Sequence, residues 1–90
     1  MDNFLDGTGR LTKEGLLEMA KHWRFYEVLQ LDDGTLIGLG PLMYTTAIYV
    51  DVDRWGWGKR FCFKDPDVAV QEFRKLASGD EEPVGYIARR

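Results

Sequence analysis

LMYTTAIYVDV, residues 42–52, alternates two sets of side chains along its whole length. Leu42, Tyr44, Thr46, Ile48, Val50 and Val52 fall on one side. Met43, Thr45, Ala47, Tyr49 and Asp51, with Asp53 just beyond, fall on the other. Period two with β-branched and aromatic residues is the pattern of a strand, and the first set is the one suited to a core. One strand needs neighbours, and the flanking segments supply them. Upstream, Phe25, Glu27, Leu29 and Leu31 alternate with Tyr26, Val28 and Gln30. Asp32-Asp33-Gly34 then makes a tight turn, because glycine supplies positive φ, and Thr35 to Leu39 returns until Gly40-Pro41 ends it. Downstream, Arg60 to Lys64 is a short strand with Phe61 and Phe63 inward and Cys62 opposite, and Val84 to Ala88 forms a last one.

Two stretches change period to that of a helix. Leu16, Met19, Ala20 and Trp23 share one face and predict a helix over Thr12–Arg24, with Thr12 as N-cap and Leu11 and Leu16 as a hydrophobic staple. Gly15 weakens its first turn by ~1 kcal/mol relative to alanine, so packing must carry it. Asp65-Pro66-Asp67 marks a second start, for a helix over Pro66–Ala77. Its stripe is Ala69, Phe73, Leu76 and Ala77, with Gly79 as the stop. Residues 1–10 read as an irregular lead-in. The order α-β-β-β-β-α-β predicts a single α+β domain over residues 1–90: an antiparallel sheet of four to five strands packed with two helices. Phe25, Leu29, Tyr44, Ile48, Val50, Phe61, Phe63, Phe73 and Leu76 are expected to converge on one core.

Ninety residues with 44% hydrophobic content suffice for a core without metals or disulfides. Cys62 is the only cysteine, which precludes an intramolecular disulfide and suits a reducing compartment. The opening Met1-Asp2-Asn3-Phe4-Leu5-Asp6 lacks the basic start and apolar run of a secretory signal. The most apolar region, Leu36 to Val50, is broken by Gly38, Gly40 and Pro41 and falls short of the ~20 residues a spanning helix needs. A cytoplasmic protein without membrane contact is expected.

Catalytic material is scarce. His22, the only histidine, lies near the end of the first helix, and Ser78, the only serine, lies near the end of the second. Cys62 stands between Arg60 and Lys64, whose charges favour a thiolate, but as a lone strand cysteine it reads as a small apolar filler. Asp51-x-Asp53 and Asp65-x-Asp67 space two carboxylates as a Mg²⁺ site does, with no further ligands beside them. Gly56-Trp57-Gly58-Lys59 lacks the earlier glycine and following hydroxyl of a phosphate loop. No catalytic set, metal site or cofactor is expected.

The net charge of −3 is unevenly spread: residues 1–53 carry −5 and residues 54–90 carry +2. RWGWGKRFCFK, Arg54 to Lys64, holds four cations and four aromatic rings in one hairpin. Glycines beside Trp55 and Trp57 free the backbone, so a core cannot easily claim both indoles. Exposed tryptophan and arginine are the residues that anchor interfaces. Basic residues between aromatics also suit single-stranded nucleic acid, although overall acidity opposes phosphate binding.

The run WGWGKRFCFKDP, the helix Val68 to Ala77, and SGDEEPVGYIARR resemble the C-terminal part of small proteins encoded by phages and prophages. That resemblance implies a non-enzymatic inhibitor of a bacterial defence complex, in the manner of anti-CRISPR proteins, that occludes a surface of a host protein or nucleoprotein. The partner-binding residues expected are Arg54, Trp55, Trp57, Lys59 and Arg60, with Asp32, Asp33, Asp51 and Asp53 competing for a basic groove in place of phosphates. The rival expectations are a nucleic-acid module using residues 54–64, and a small enzyme or enzyme subunit using Cys62 or the aspartate pairs.

Overall fold

The computed structural model describes residues 10–90, so the lead-in expected over residues 1–10 lies outside the described residues apart from Arg10. The chain runs α1 (Lys13–Trp23), β1 (Glu27–Gln30), β2 (Leu36–Pro41), β3 (Thr46–Val50), β4 (Lys59–Phe63), α2 (Pro66–Lys75) and β5 (Ala88–Arg89). The strands form one antiparallel sheet in chain order, with α2 crossing between β4 and β5. The predicted α+β class and element order are those observed.

Local chemistry sets the helix ends. Thr12 accepts a hydrogen bond from Gly15 N at 3.1 Å, and Arg24 closes α1 in the left-handed region at φ 60°. Asp65 accepts from Asp67 N at 2.9 Å, and Pro66 opens α2 where its missing N–H costs nothing. In the β1–β2 turn Gly34 has φ 90° and donates to Leu31 O at 2.9 Å.

The expected single core is two cores, one on each face of the sheet. Ile37, Leu39, Ile48, Val50, Phe61 and Phe63 pack against Ala69 and Phe73 of α2 and Leu76 at its cap. On the opposite face Ala47, Tyr49, Val52 and Cys62 pack against Met19 and Trp23 of α1, with Phe25 and Trp57. Every residue of β3 is buried, so the alternation in residues 46–50 separates two interiors rather than core from solvent.

The α1 face is a row of rings. Trp23 stacks on Phe25 with centroids 6.2 Å apart, Phe25 on Tyr49 at 4.7 Å, and Tyr49 meets Trp57 edge-on at 5.6 Å. The Phe25 ring lies flat on the backbone of β2. A Cβ on Gly40 would come within 2.6 Å of it, and one on Gly38 would clash on the ring's other side. Both glycines are therefore packing residues, small because a ring occupies the space.

Several expectations are corrected. Tyr44 is 87% exposed and Met43 86%, because β3 begins only at Thr46. Leu42 N donates to Thr45 O at 2.8 Å, so residues 42–45 are the turn between β2 and β3, a turn with no glycine, asparagine or aspartate to announce it. Asp51 has φ 61°, which breaks the alternation and sends Val52 to the α1-side core. Phe25 precedes β1 and is half-buried on the α1 side, and Leu29 is half-buried against the α2-side core near the sheet margin. Ala77 lies beyond α2 and is exposed. Gly79 does not stop the helix, which is capped at Leu76; a Cβ there would press on Thr35 Oγ1. Of the strand expected over residues 84–88, only Ala88 pairs, joined by Arg89.

The segment after α2 is held by carboxylates on backbone amides. Asp33 accepts from Gly79 N at 2.8 Å, and Lys59 Nζ donates to Gly79 O at 3.3 Å. Buried Glu72 accepts from Val84 N at 2.9 Å and from Lys75 Nζ at 3.1 Å. The Gly79 amide, followed by that of Thr35, holds the Asp33 carboxyl below the usual range; the Val84 amide and then Lys75 do so for Glu72.

Two outcomes follow from this packing. Gly38→Ala should destabilise the fold by roughly 1–3 kcal/mol through overpacking. In denaturant titrations that cost should shrink when Phe25→Ala is also present, and simple additivity would remove the ring as its cause. A carboxylate with a lower pKa folded than unfolded stabilises fully above its ordinary value, and the effect is lost as pH falls through the native one. Glu72→Gln should therefore lower the melting temperature near neutrality, with the gap to wild type holding down to the ordinary carboxylate range and closing as pH falls below it.

Candidate partner-binding surface

Residues 51–58 join β3 to β4, and their own backbone chemistry orders them. Asp53 Oδ1 accepts from Trp55 N at 2.7 Å and Gly56 N at 2.8 Å, while Asp53 N donates to Gly56 O at 2.9 Å. Gly58 N closes the loop on Val50 O at 2.8 Å. An aspartate that accepts from the amides two and three residues on replaces the turn bonds that a freer loop would leave to water.

Helix α1 bolts the loop down from outside. Trp23 Nε1 donates to Asp53 O at 2.7 Å. His22 Nε2 lies 3.1 Å from Arg54 O; since a carbonyl only accepts, this nitrogen carries the proton. Trp55, the next residue, is 90% exposed. A groove of about 560 Å³ runs between helix and loop, with Leu11, Glu18, Met19, His22, Arg54 and Trp55 among its lining residues.

The two tryptophans have separated roles. Trp57 turns back onto Tyr49 and is half-buried, with the Arg60 guanidinium 5.1 Å from its ring centroid. Burial pushes the Tyr49 phenol up, and the charge of Arg60 acts against that shift. Strand alternation also divides the cations. Arg60 is opposite Tyr49 on the α1 face, Lys59 is opposite Val50 on the α2 face and bound to Gly79 O, and Lys64 is exposed beyond the far end of β4. Arg54 alone stays beside Trp55. The four cations of residues 54–64 therefore form no single patch.

The acidic residues are brought together instead. The β1–β2 turn and the β3–β4 loop lie at the same end of the sheet, where Val52 N donates to Leu36 O at 3.1 Å. Asp32, Asp33, Asp51 and Asp53 are all exposed there. Asp33 and Asp53 are engaged by backbone amides, whereas Asp32 and Asp51 accept no hydrogen bond among the described residues. The contact between Gly79 and Asp33 brings exposed Asp80 towards the same end.

The catalytic candidates are not assembled. Cys62 is buried in the α1-side core, and His22 is committed to the loop carbonyl. Asp65 caps α2. Among the described residues no group of three His, Cys, Asp or Glu side chains is placed to hold a metal ion, and no helix is long and apolar enough to cross a membrane. No protein-family model, curated protein or solved structure matches the chain.

His22 and Trp23 as loop anchors were not visible in the sequence, since each acts across about thirty residues on a backbone oxygen. Trp23→Phe keeps an aromatic ring, smaller than the indole, and removes the donor. It should cost roughly 1 kcal/mol of stability and leave Asp53 O unpaired. Hydrogen exchange at the Trp55 and Gly56 amides should quicken relative to amides in β3, and unchanged exchange would show that the loop holds without this anchor.

Proposed function

We propose that this chain is a non-catalytic binding protein that covers a surface of another protein, with the 51–58 loop as its epitope. The observation that supports this reading is Trp55, an indole 90% exposed at the tip of a loop ordered by its own hydrogen bonds and by two from α1. A ring on a floppy loop would lose freedom on binding; a pre-ordered one loses little, and more of its burial appears as affinity. Asp32 and Asp51 nearby favour a basic partner surface. The proposal extends to an anti-CRISPR-like role in a bacterial cytoplasm, in which this end blocks a basic nucleic-acid groove of a host effector.

Direct nucleic-acid binding by residues 54–64 is less favoured. Stacking on single strands needs exposed rings and cations along one track, whereas Trp57 is folded inward and Lys59 and Arg60 point to opposite faces.

Capture of partners from a bacterial host, with the interaction then measured by calorimetry, tests the reading. Trp55→Ala should leave the melting temperature nearly unchanged and weaken binding by about 2 kcal/mol or more. Arg54→Glu should change affinity in a salt-dependent way. A Trp55→Ala variant that binds as wild type does would place the epitope elsewhere.

A further inference from the structure

A second groove, of about 750 Å³, lies along α1 and against the chain entering β1. Its α1 residues Glu14, Leu17, Glu18 and Lys21 recur at i, i+3, i+4 and i+7, which puts them in one stripe, and Arg24, the left-handed cap residue that follows the helix, lines the same groove. All five are exposed; Leu17 is 58% exposed, and Tyr26 beside them 67%. None of the four charged side chains forms an ion pair among the described residues.

The order of charge along the stripe is the informative feature. Both acids precede both bases, Glu14 and Glu18 at the start and middle of α1, Lys21 in its last turn and Arg24 at its cap, with Leu17 between the acids and Ala20 between acids and bases. A second α1 laid parallel would set acid on acid and base on base. Laid antiparallel about a two-fold axis, it sets Glu14 against Arg24 and Glu18 against Lys21, each pair occurring twice. Such self-complementarity is what an isologous interface requires. Leu17 then meets Ala20 and the aliphatic stem of Lys21, and Tyr26 covers the end of the contact.

We propose that this chain self-associates through α1, a second copy docking antiparallel on the Glu14–Arg24 stripe. The contact does not use the exposed indole of Trp55, and of its residues only Glu18 also lines the groove beside that ring. It is a small interface with charged rims, and a weak dimer is expected, with a dissociation constant of roughly 1–100 µM at low salt.

Sedimentation equilibrium of the full chain, with two charge-reversal variants, tests the proposal. Wild type should show a monomer–dimer equilibrium that weakens as salt is raised. Glu14→Lys/Glu18→Lys and Lys21→Glu/Arg24→Glu should each dimerise at least tenfold more weakly, while their equimolar mixture recovers a 1:1 dimer. Leu17→Ser, which changes an exposed side chain and no charge, should also weaken the dimer at least threefold, so the proposal does not depend on the charge variants folding well. A wild-type chain that stays monomeric at roughly ten times the weakest expected constant overturns the proposal and leaves the groove to a different partner. So does a dimer that these substitutions leave unchanged, or a mixture of folded charge variants that stays monomeric.

Discussion

The contact on which most of this structure depends is the Phe25 ring lying on Gly38 and Gly40. Phe25 is the second residue after α1 ends and the second before β1 begins, so its position fixes how the helix is delivered onto the sheet. A ring can lie against strand backbone only where no Cβ intervenes, and β2 provides two such positions on one face, two residues apart. With the ring seated there, Trp23 stacks behind it, Tyr49 in front of it, and Trp57 beyond Tyr49. The row spans the α1 face and makes a second interior where the sequence pattern suggests a solvated surface.

The candidate surface follows from that row. Trp23 belongs to the stack through its ring and to the β3–β4 loop through its N–H, so packing and loop order share one side chain. Trp57 closes the other end of the row and leaves Trp55 as the exposed ring of the pair. The two tryptophans stand two residues apart in sequence, yet one completes a core and the other faces solvent. What divides them is the turn built by Asp53, whose carboxylate takes the amides of Trp55 and Gly56 and swings residue 55 outward.

The sheet end is acidic for a reason that linear charge counts do not contain. Antiparallel pairing of β1 with β2 and of β3 with β4 brings their two connections side by side, and each connection carries two aspartates. The same pairing scatters the basic run of residues 54–64, since neighbours on a strand face opposite ways. A cluster in sequence becomes dispersed, and residues twenty apart become a patch.

Much of the fold was legible in local signals. Thr12 and Asp65-Pro66 mark both helix starts because capping is a contact between near neighbours, and Gly34 marks the first hairpin because its positive φ is a single-residue property. The periods of residues 42–52 and 60–64 point to two strands, observed over 46–50 and 59–63, and to the inward residues Ile48 and Val50 with Phe61 and Phe63. The 42–45 turn was missed because its residues are poor turn markers, and the strand pattern ran through it. Composition and local pattern by themselves determined an α+β chain of two helices and an antiparallel sheet, and singled out the Trp55 region. Only the tertiary structure decided that both sheet faces are interiors, that Trp57 turns in while Trp55 stays out, and that α1 locks the loop. The first and last of these rest on contacts between residues far apart in the chain, such as Phe25 with Tyr49 and Trp23 with Asp53, and the second on a side-chain turn at Asp53; none of them leaves a period or spacing in the sequence.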